Sequence, residues 1–164
     1  MKKILYIAGA LMLLVPAVSH AQALPFVAAE TDAASLGTAG AGLVETSSVA
    51  DASFSNAAVI PFSDNKLDAS VGYTMWQPSS SNILNVGVAY NVKSKFGVAL
   101  GVHYGMNPSY DVTNESGAVA GVFAPKDIHV NAGLAWRFLP FLSLGANIGY
   151  ATSSLAEGHS YGAL

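Results

Sequence analysis

Residues 96–106 read FGVALGVHYGM, with Phe96, Val98, Leu100, Val102, Tyr104 and Met106 alternating with Gly97, Ala99, Gly101, His103 and Gly105. A period of two puts the bulky set on one face of an extended chain and the small set on the other. A surface strand of a soluble sheet sets charged or long polar side chains on its second face. Here that face is almost all glycine and alanine. The pattern therefore asks for an apolar medium or core on one side and, on the other, something able to pack against a nearly bare backbone.

The same alternation recurs over residues 66–76, 83–92, 127–138 and 141–152, giving five predicted strands bounded by turn signals. Their bulkier faces carry Leu67, Ala69, Val71, Tyr73 and Met75; Leu84, Val86, Val88, Tyr90 and Val92; Ile128, Val130, Ala132, Leu134, Trp136 and Phe138; and Leu142, Leu144, Ala146, Ile148 and Tyr150. None of these positions holds a charge, an amide or an aliphatic hydroxyl. The opposite faces interleave glycines with Asp68, Ser70, Thr74, Trp76, Asn85, Asn91, His103, His129, Asn131, Arg137, Ser143 and Asn147.

A wholly apolar strand face suits either a sandwich core or the lipid side of a membrane barrel, and strand length separates the two. Sandwich strands average about five or six residues. Ten or eleven residues at about 3.3 Å each, tilted by about 40°, project to about 27 Å, close to the apolar band of an outer-membrane barrel. The connections alternate between tight (93–95, 139–140) and longer (77–82, 107–126). With the tight turns at the periplasm, Tyr90, Phe96, Trp136 and Phe138 gather at one interface, and Tyr104 and Tyr150 lie toward the other. The expected fold is all-β: an antiparallel transmembrane β-barrel that meets outer-membrane lipid. Because open strand edges are not tolerated in hydrocarbon and small barrels need about eight strands, the five visible strands of residues 66–164 read as the N-terminal part of a longer, truncated barrel. The terminal EGHSYGAL reads as an extracellular loop.

Composition agrees. Charged residues make up 10% of the 164-residue chain, against about 25% in ordinary globular domains. Residues 1–23 have the parts of a cleaved signal peptide: Lys2 and Lys3, an apolar stretch, then Ala21 and Ala23. The expected localisation is thus the outer membrane of a bacterial cell. Without Lys2 and Lys3, five of the seven basic residues remain against ten acidic ones, so no basic patch exists for a nucleic acid. There is no cysteine, which excludes a disulfide framework.

Residues 24–65 lack sustained alternation and are rich in Ala, Gly and Ser. The glycines of SLGTAGAGLVETSSVADASFSNAAVIPF are not in a phosphate-loop arrangement, because no apolar strand precedes them and no lysine follows. The stretch resembles the N-terminal region of FadL/PorV-type (PorV/PorQ family) outer-membrane proteins. Ser35, Gly37, Ala39, Gly40 and Gly42 match a Ser-x-Gly-x-Ala-Gly-like run, Ala50, Asp51, Ala52 and Ser53 an Ala-Asp-Asp-Ala-Ser step, and Asn56 with Ala58 an Asn-Pro-Ala step. Ala57 stands where that family has proline, and one acidic residue is missing before Ala52. The resemblance implies a fourteen-stranded barrel with residues 24–65 folded into the lumen as a hatch, in which Ser35, Gly37, Gly40, Gly42, Asp51 and Asn56 carry the motif. It implies passage or binding of small hydrophobic molecules or, in the PorV branch, an accessory role in type IX secretion with secreted protein cargo as partner. A structural or adhesive surface protein is the remaining alternative.

Candidate lumen-facing residues are Asp68, Trp76, His103, His129, Asn131 and Arg137. His103 and His129 become adjacent if the third and fourth strands pair, and Asp68 is a candidate partner for Arg137. Two histidines fall short of a usual metal set, so neither a metal nor a cofactor is expected. In the long connection, Asp111 and Glu115 read as solvated carboxylates, and the apolar AVAGVF reads as a loop folding over the barrel mouth. No nucleophile–base spacing stands out, so no enzyme activity is expected. Mass spectrometry of the mature protein should find its N-terminus at Gln22 or Leu24; retention of Lys2 and Lys3 would refute the cleaved leader.

Overall fold

The computed structural model describes residues 24–44, 48–75, 81–156 and 159–163. The predicted leader and Trp76 lie outside the described residues.

The fold is all-β and antiparallel. Strands β1 (Leu67–Met75), β2 (Asn82–Val92), β3 (Phe96–Met106), β6 (Lys126–Leu139), β7 (Leu142–Ala156) and β8 (His159–Ala163) form one sheet in the order β1-β2-β3-β6-β7-β8. Strands β4 (Tyr110–Thr113) and β5 (Val119–Phe123) form a separate hairpin inside the β3–β6 connection. Among the described residues the sheet is linear, with β1 and β8 at its edges.

Two expectations are corrected here. The connection 107–126 is not simply loop: its apolar run pairs with the segment starting at Tyr110, whose ring lies 5.7 Å from that of Phe123. Nor is the end of the chain loop, since β8 pairs with β7 and brings the main sheet to six strands. Neither segment has a long alternating pattern to announce it. Pairing with a neighbouring strand, rather than local sequence, makes each a strand.

The tight turns set the register. At the β2–β3 corner Lys93 and Ser94 both take positive φ, 54° and 51°, as in a type I′ turn, and the Lys95 N–H donates to the Val92 carbonyl at 3.1 Å within a three-residue connection between the paired Val92 and Phe96. The Asn91 side chain steadies it by accepting from the Ser94 N–H at 2.9 Å. From that corner, rows of residues run across the sheet. Gly87, Gly101, Asn131 and Gly149 lie in one row, and Asn85, His103, His129 and Ala151 in the next.

The two faces reverse the usual distribution of polarity. Leu100, Leu134 and Ile148 are 59%, 64% and 64% exposed, while Asn85, His103 and His129 on the other face are 1%, 3% and 6% exposed. Phe96, Trp136 and Phe138 form an aromatic row on the exposed face beside the tight turns, with ring centroids 6.3 Å and 6.0 Å apart.

What buries the small face is the N-terminal segment. Residues 48–65 lie against it, including the 3-10 turn Ala57–Phe62, which packs on β2, β3, β6 and β7. The apolar cluster at this junction is built of small residues: Ala52, Ala57, Ala89, Ala99 and Ala135, with Val49 and Ile60. A Cβ at Gly101 would overlap the Phe54 ring, and one at Gly145 would meet the Ala58 backbone. The glycines therefore permit the segment's approach. Gly101→Val should displace Phe54, cost about 1–3 kcal/mol by overpacking, and expose residues 48–62 to limited proteolysis. Gly121→Val on β5, where nothing lies within 4 Å of the Cβ position, should leave the digestion pattern unchanged.

Candidate functional site

The site is the contact between residues 24–65 and the small face of the sheet. Asp51 lies at its centre. Its carboxylate accepts from the Ser70 hydroxyl at 3.0 Å and from the Asn85 amide at 2.9 Å, tying the segment to β1 and β2. Asn85 is 1% exposed, so its amide has no water to replace that acceptor. Nearer the tight turns, Asp68 accepts from the Val49 N–H at 3.3 Å, the Ser63 hydroxyl at 3.4 Å and the Asn65 amide at 2.8 Å. The buried Asn91 amide donates to the Ser63 carbonyl at 2.8 Å.

Arg137 does not meet Asp68. Its guanidinium donates to the carbonyls of Pro61, Leu139 and Pro140 and lies 4.3 Å from the centroid of the Phe62 ring. The predicted pairing fails because each group is engaged closer at hand: Asp68 by the segment before β1, Arg137 by the segment's end and its own turn.

His103 and His129 are cross-strand partners, with ring centroids 5.8 Å apart. Thr31 Oγ1 lies 3.0 Å from His103 Nε2, and the Phe54 ring stacks on His103 at 3.6 Å and 19°. Phe54 also meets His129 edge-on at 5.3 Å. Both rings are thus occupied in docking the segment, and no group of three His, Asp or Glu suited to a metal is found among the described residues. Asn131, one residue pair further along β6, turns its Oδ1 into the buried layer.

The motif residues divide into two sets. Asn56 caps the Ala57–Phe62 turn, accepting from the Ala58 N–H at 3.1 Å and donating to the Leu43 carbonyl at 2.9 Å, so it joins the two halves of the segment. Ser35 and Gly37 lie in a single helical turn, α1 (Ala33–Gly37), capped by Asp32. Gly40 follows at φ +81°, and Gly42 is in the turn Ala41–Val44. Asp51 and Asn56 hold the segment in place, whereas Gly37 and Gly40 have nothing within 4 Å of their Cβ positions.

Sequence reasoning missed Thr31, Phe54 and Asp127. Thr31 and Phe54 sit in a stretch without periodicity, and nothing local marks them as partners of a histidine 72 or 49 positions away. Asp127 was visible on the polar side of its strand, but its burial to 8% exposure depends on neighbours from other elements.

Beside this contact, one cavity of about 400 Å³ lies at the β1 edge against Asp51, Ser70 and Asn85, and two more lie against residues 26–30. One, of about 250 Å³, is bounded by Glu30, Thr31, Asp32, Asp51, Phe54 and His103. The other, of about 440 Å³, lies between the 26–29 stretch and the end of the sheet away from the tight turns, against Ile83, Gly105 and Asp127. Comparison with family models, curated proteins and solved structures returns no match.

Asp51→Ala should leave Ser70 and the buried Asn85 amide without their acceptor and destabilise the chain by about 1–3 kcal/mol, read as a lower urea midpoint. Asp51→Asn, which keeps a carbonyl acceptor, should recover part of that loss. Equal stability of Asp51→Ala and the wild type would remove Asp51 from its anchoring role.

Proposed function

We propose that this chain is a FadL/PorV-like outer-membrane β-barrel protein, with residues 24–65 as a lumenal hatch, and that it binds or passes small hydrophobic molecules without covalent chemistry. The observation that carries the reading is the inverted polarity of the sheet: large apolar side chains exposed on one face, buried polar groups under the segment on the other. In water such a face would drive aggregation; in a bilayer it is the ordinary outer wall of a barrel. The length of β2 and β3, 11 residues each, suits a tilted crossing of the hydrocarbon. The aromatic row at Phe96, Trp136 and Phe138 suits an interface. Cavities bounded partly by apolar residues beside the hatch supply room for a ligand.

A second reading has its own support. The β4–β5 hairpin stands apart from the main sheet and exposes Val119 and Val122 at 61% and 68%. A protein-contacting role, as in a secretion accessory carrying cargo, would use such a surface.

On the first reading, liposomes carrying the protein should accumulate a labelled hydrophobic compound, and deletion of residues 24–62 should abolish the hatch-controlled uptake. Leu100→Arg should block insertion, with a penalty of about 2–4 kcal/mol at the bilayer midplane, while Val122→Arg should insert normally. A mature protein freely soluble without detergent would overturn the membrane reading. Cargo co-purification that depends on Val119 and Val122, with no uptake, would favour the second.

A further inference from the structure

We propose that the 440 Å³ cavity is a ligand site selective for apolar molecules with a cationic or hydrogen-bond-donating head, such as long-chain primary amines, and that it disfavours carboxylates. This rests on the ligand-binding reading above and names the ligand class within it.

The cavity is apolar along Phe26, Ala28, Ala29 and Ile83, and polar at one end, where Ser81, Asn107 and Asp127 converge. Its size falls within the usual range for small-molecule sites, about 300–1,000 Å³. The polar end is rich in acceptors. Ser81 donates its hydroxyl to Asn107 Oδ1 at 2.8 Å, and the Asn107 amide donates to Asp127 Oδ2 at 2.7 Å. That relay uses the donors and fixes the carboxylate in one orientation. A carboxylate has about four lone-pair positions, so one amide donor leaves most of its capacity open. A buried acceptor without a donor is unfavourable, and a buried carboxylate without a positive neighbour more so. Neither Lys nor Arg bounds this cavity among the described residues.

The surroundings have the same sign. The adjoining cavity presents Glu30, Asp32 and Asp51, whereas Arg137 is engaged at the opposite, tight-turn end of the sheet. Acidic groups facing a confined space raise the local concentration of cations and lower that of anions. An ammonium head at the Asp127 end would supply donors for the open lone pairs of the carboxylate and the opposite charge, with its alkyl chain along Phe26 and Ile83. A carboxylate head would bring a second anion against Asp127.

The test is calorimetric titration of the detergent-solubilised full chain with decylamine, 1-decanol and decanoate. Decylamine should bind about tenfold more tightly than decanoate, the effect of one hydrogen bond to a charged group, with 1-decanol between them. Asp127→Asn should abolish the preference for the amine over the alcohol while keeping alcohol binding. Ala29→Asp, which adds a second carboxylate to the cavity wall without touching the relay, should increase that preference, and it serves if the Asp127 variant does not fold. Decanoate binding as tightly as decylamine, or an amine preference that neither substitution changes, would overturn the selectivity while leaving ligand binding intact. If none of the three compounds binds the folded protein, the ligand-binding reading itself fails.

Discussion

The structure depends on one close approach, that of the N-terminal segment to a sheet face stripped of large side chains. Where Gly101 and Gly145 stand, the space a side chain would fill is taken by the Phe54 ring and the Ala58 backbone. The core there is a thin layer of alanines with Val49 and Ile60, and such a layer removes little apolar area from water compared with a core of Leu and Phe. Backbone proximity and hydrogen bonding must supply more of the cohesion than in an ordinary domain.

That constraint explains why so many buried side chains are polar. Asn85, Asn91 and His103 lie on the sheet, but their partners, Asp51, the Ser63 carbonyl and Thr31, belong to the segment. Neither surface satisfies its polar groups alone, so each is the other's hydrogen-bonding complement. Anchors are spread along the strands: Arg137 and Asp68 toward the tight turns, Asp51 in the middle, the His103–Phe54–Thr31 contact toward the other end. The Ser35–Gly40 turn carries none of these anchors, and opening that begins there leaves them intact.

The same arrangement separates two kinds of chemistry. The exposed face is apolar up to its last row, where Asn82, Lys126 and Ser154 stand, and can distinguish only media. Inside, charge is unevenly placed, with acidic groups around the cavities and the one strand-borne guanidinium occupied near the turns. On the proposed ligand-binding reading, discrimination between small molecules would rest on the small face, where a single carboxylate beside apolar walls has large leverage.

The alternation of Phe96 to Met106 and its four companions determined by itself that the chain is an antiparallel all-β protein with one apolar and one small face, because side-chain direction in a strand follows directly from position. That His103 stands opposite His129 was conditional on β3 pairing with β6 across the long 107–126 connection, whose length leaves the register free, and the sheet decided it. The short strands β4, β5 and β8 were not legible, because their pairing is decided by neighbours rather than by pattern. The partnership of Asp68 with the segment instead of Arg137, the stacking of Phe54 on His103, and the burial of Asp127 likewise belong to tertiary structure alone. They depend on where an aperiodic stretch lies on a sheet, and an aperiodic stretch carries no repeat from which its position could be read.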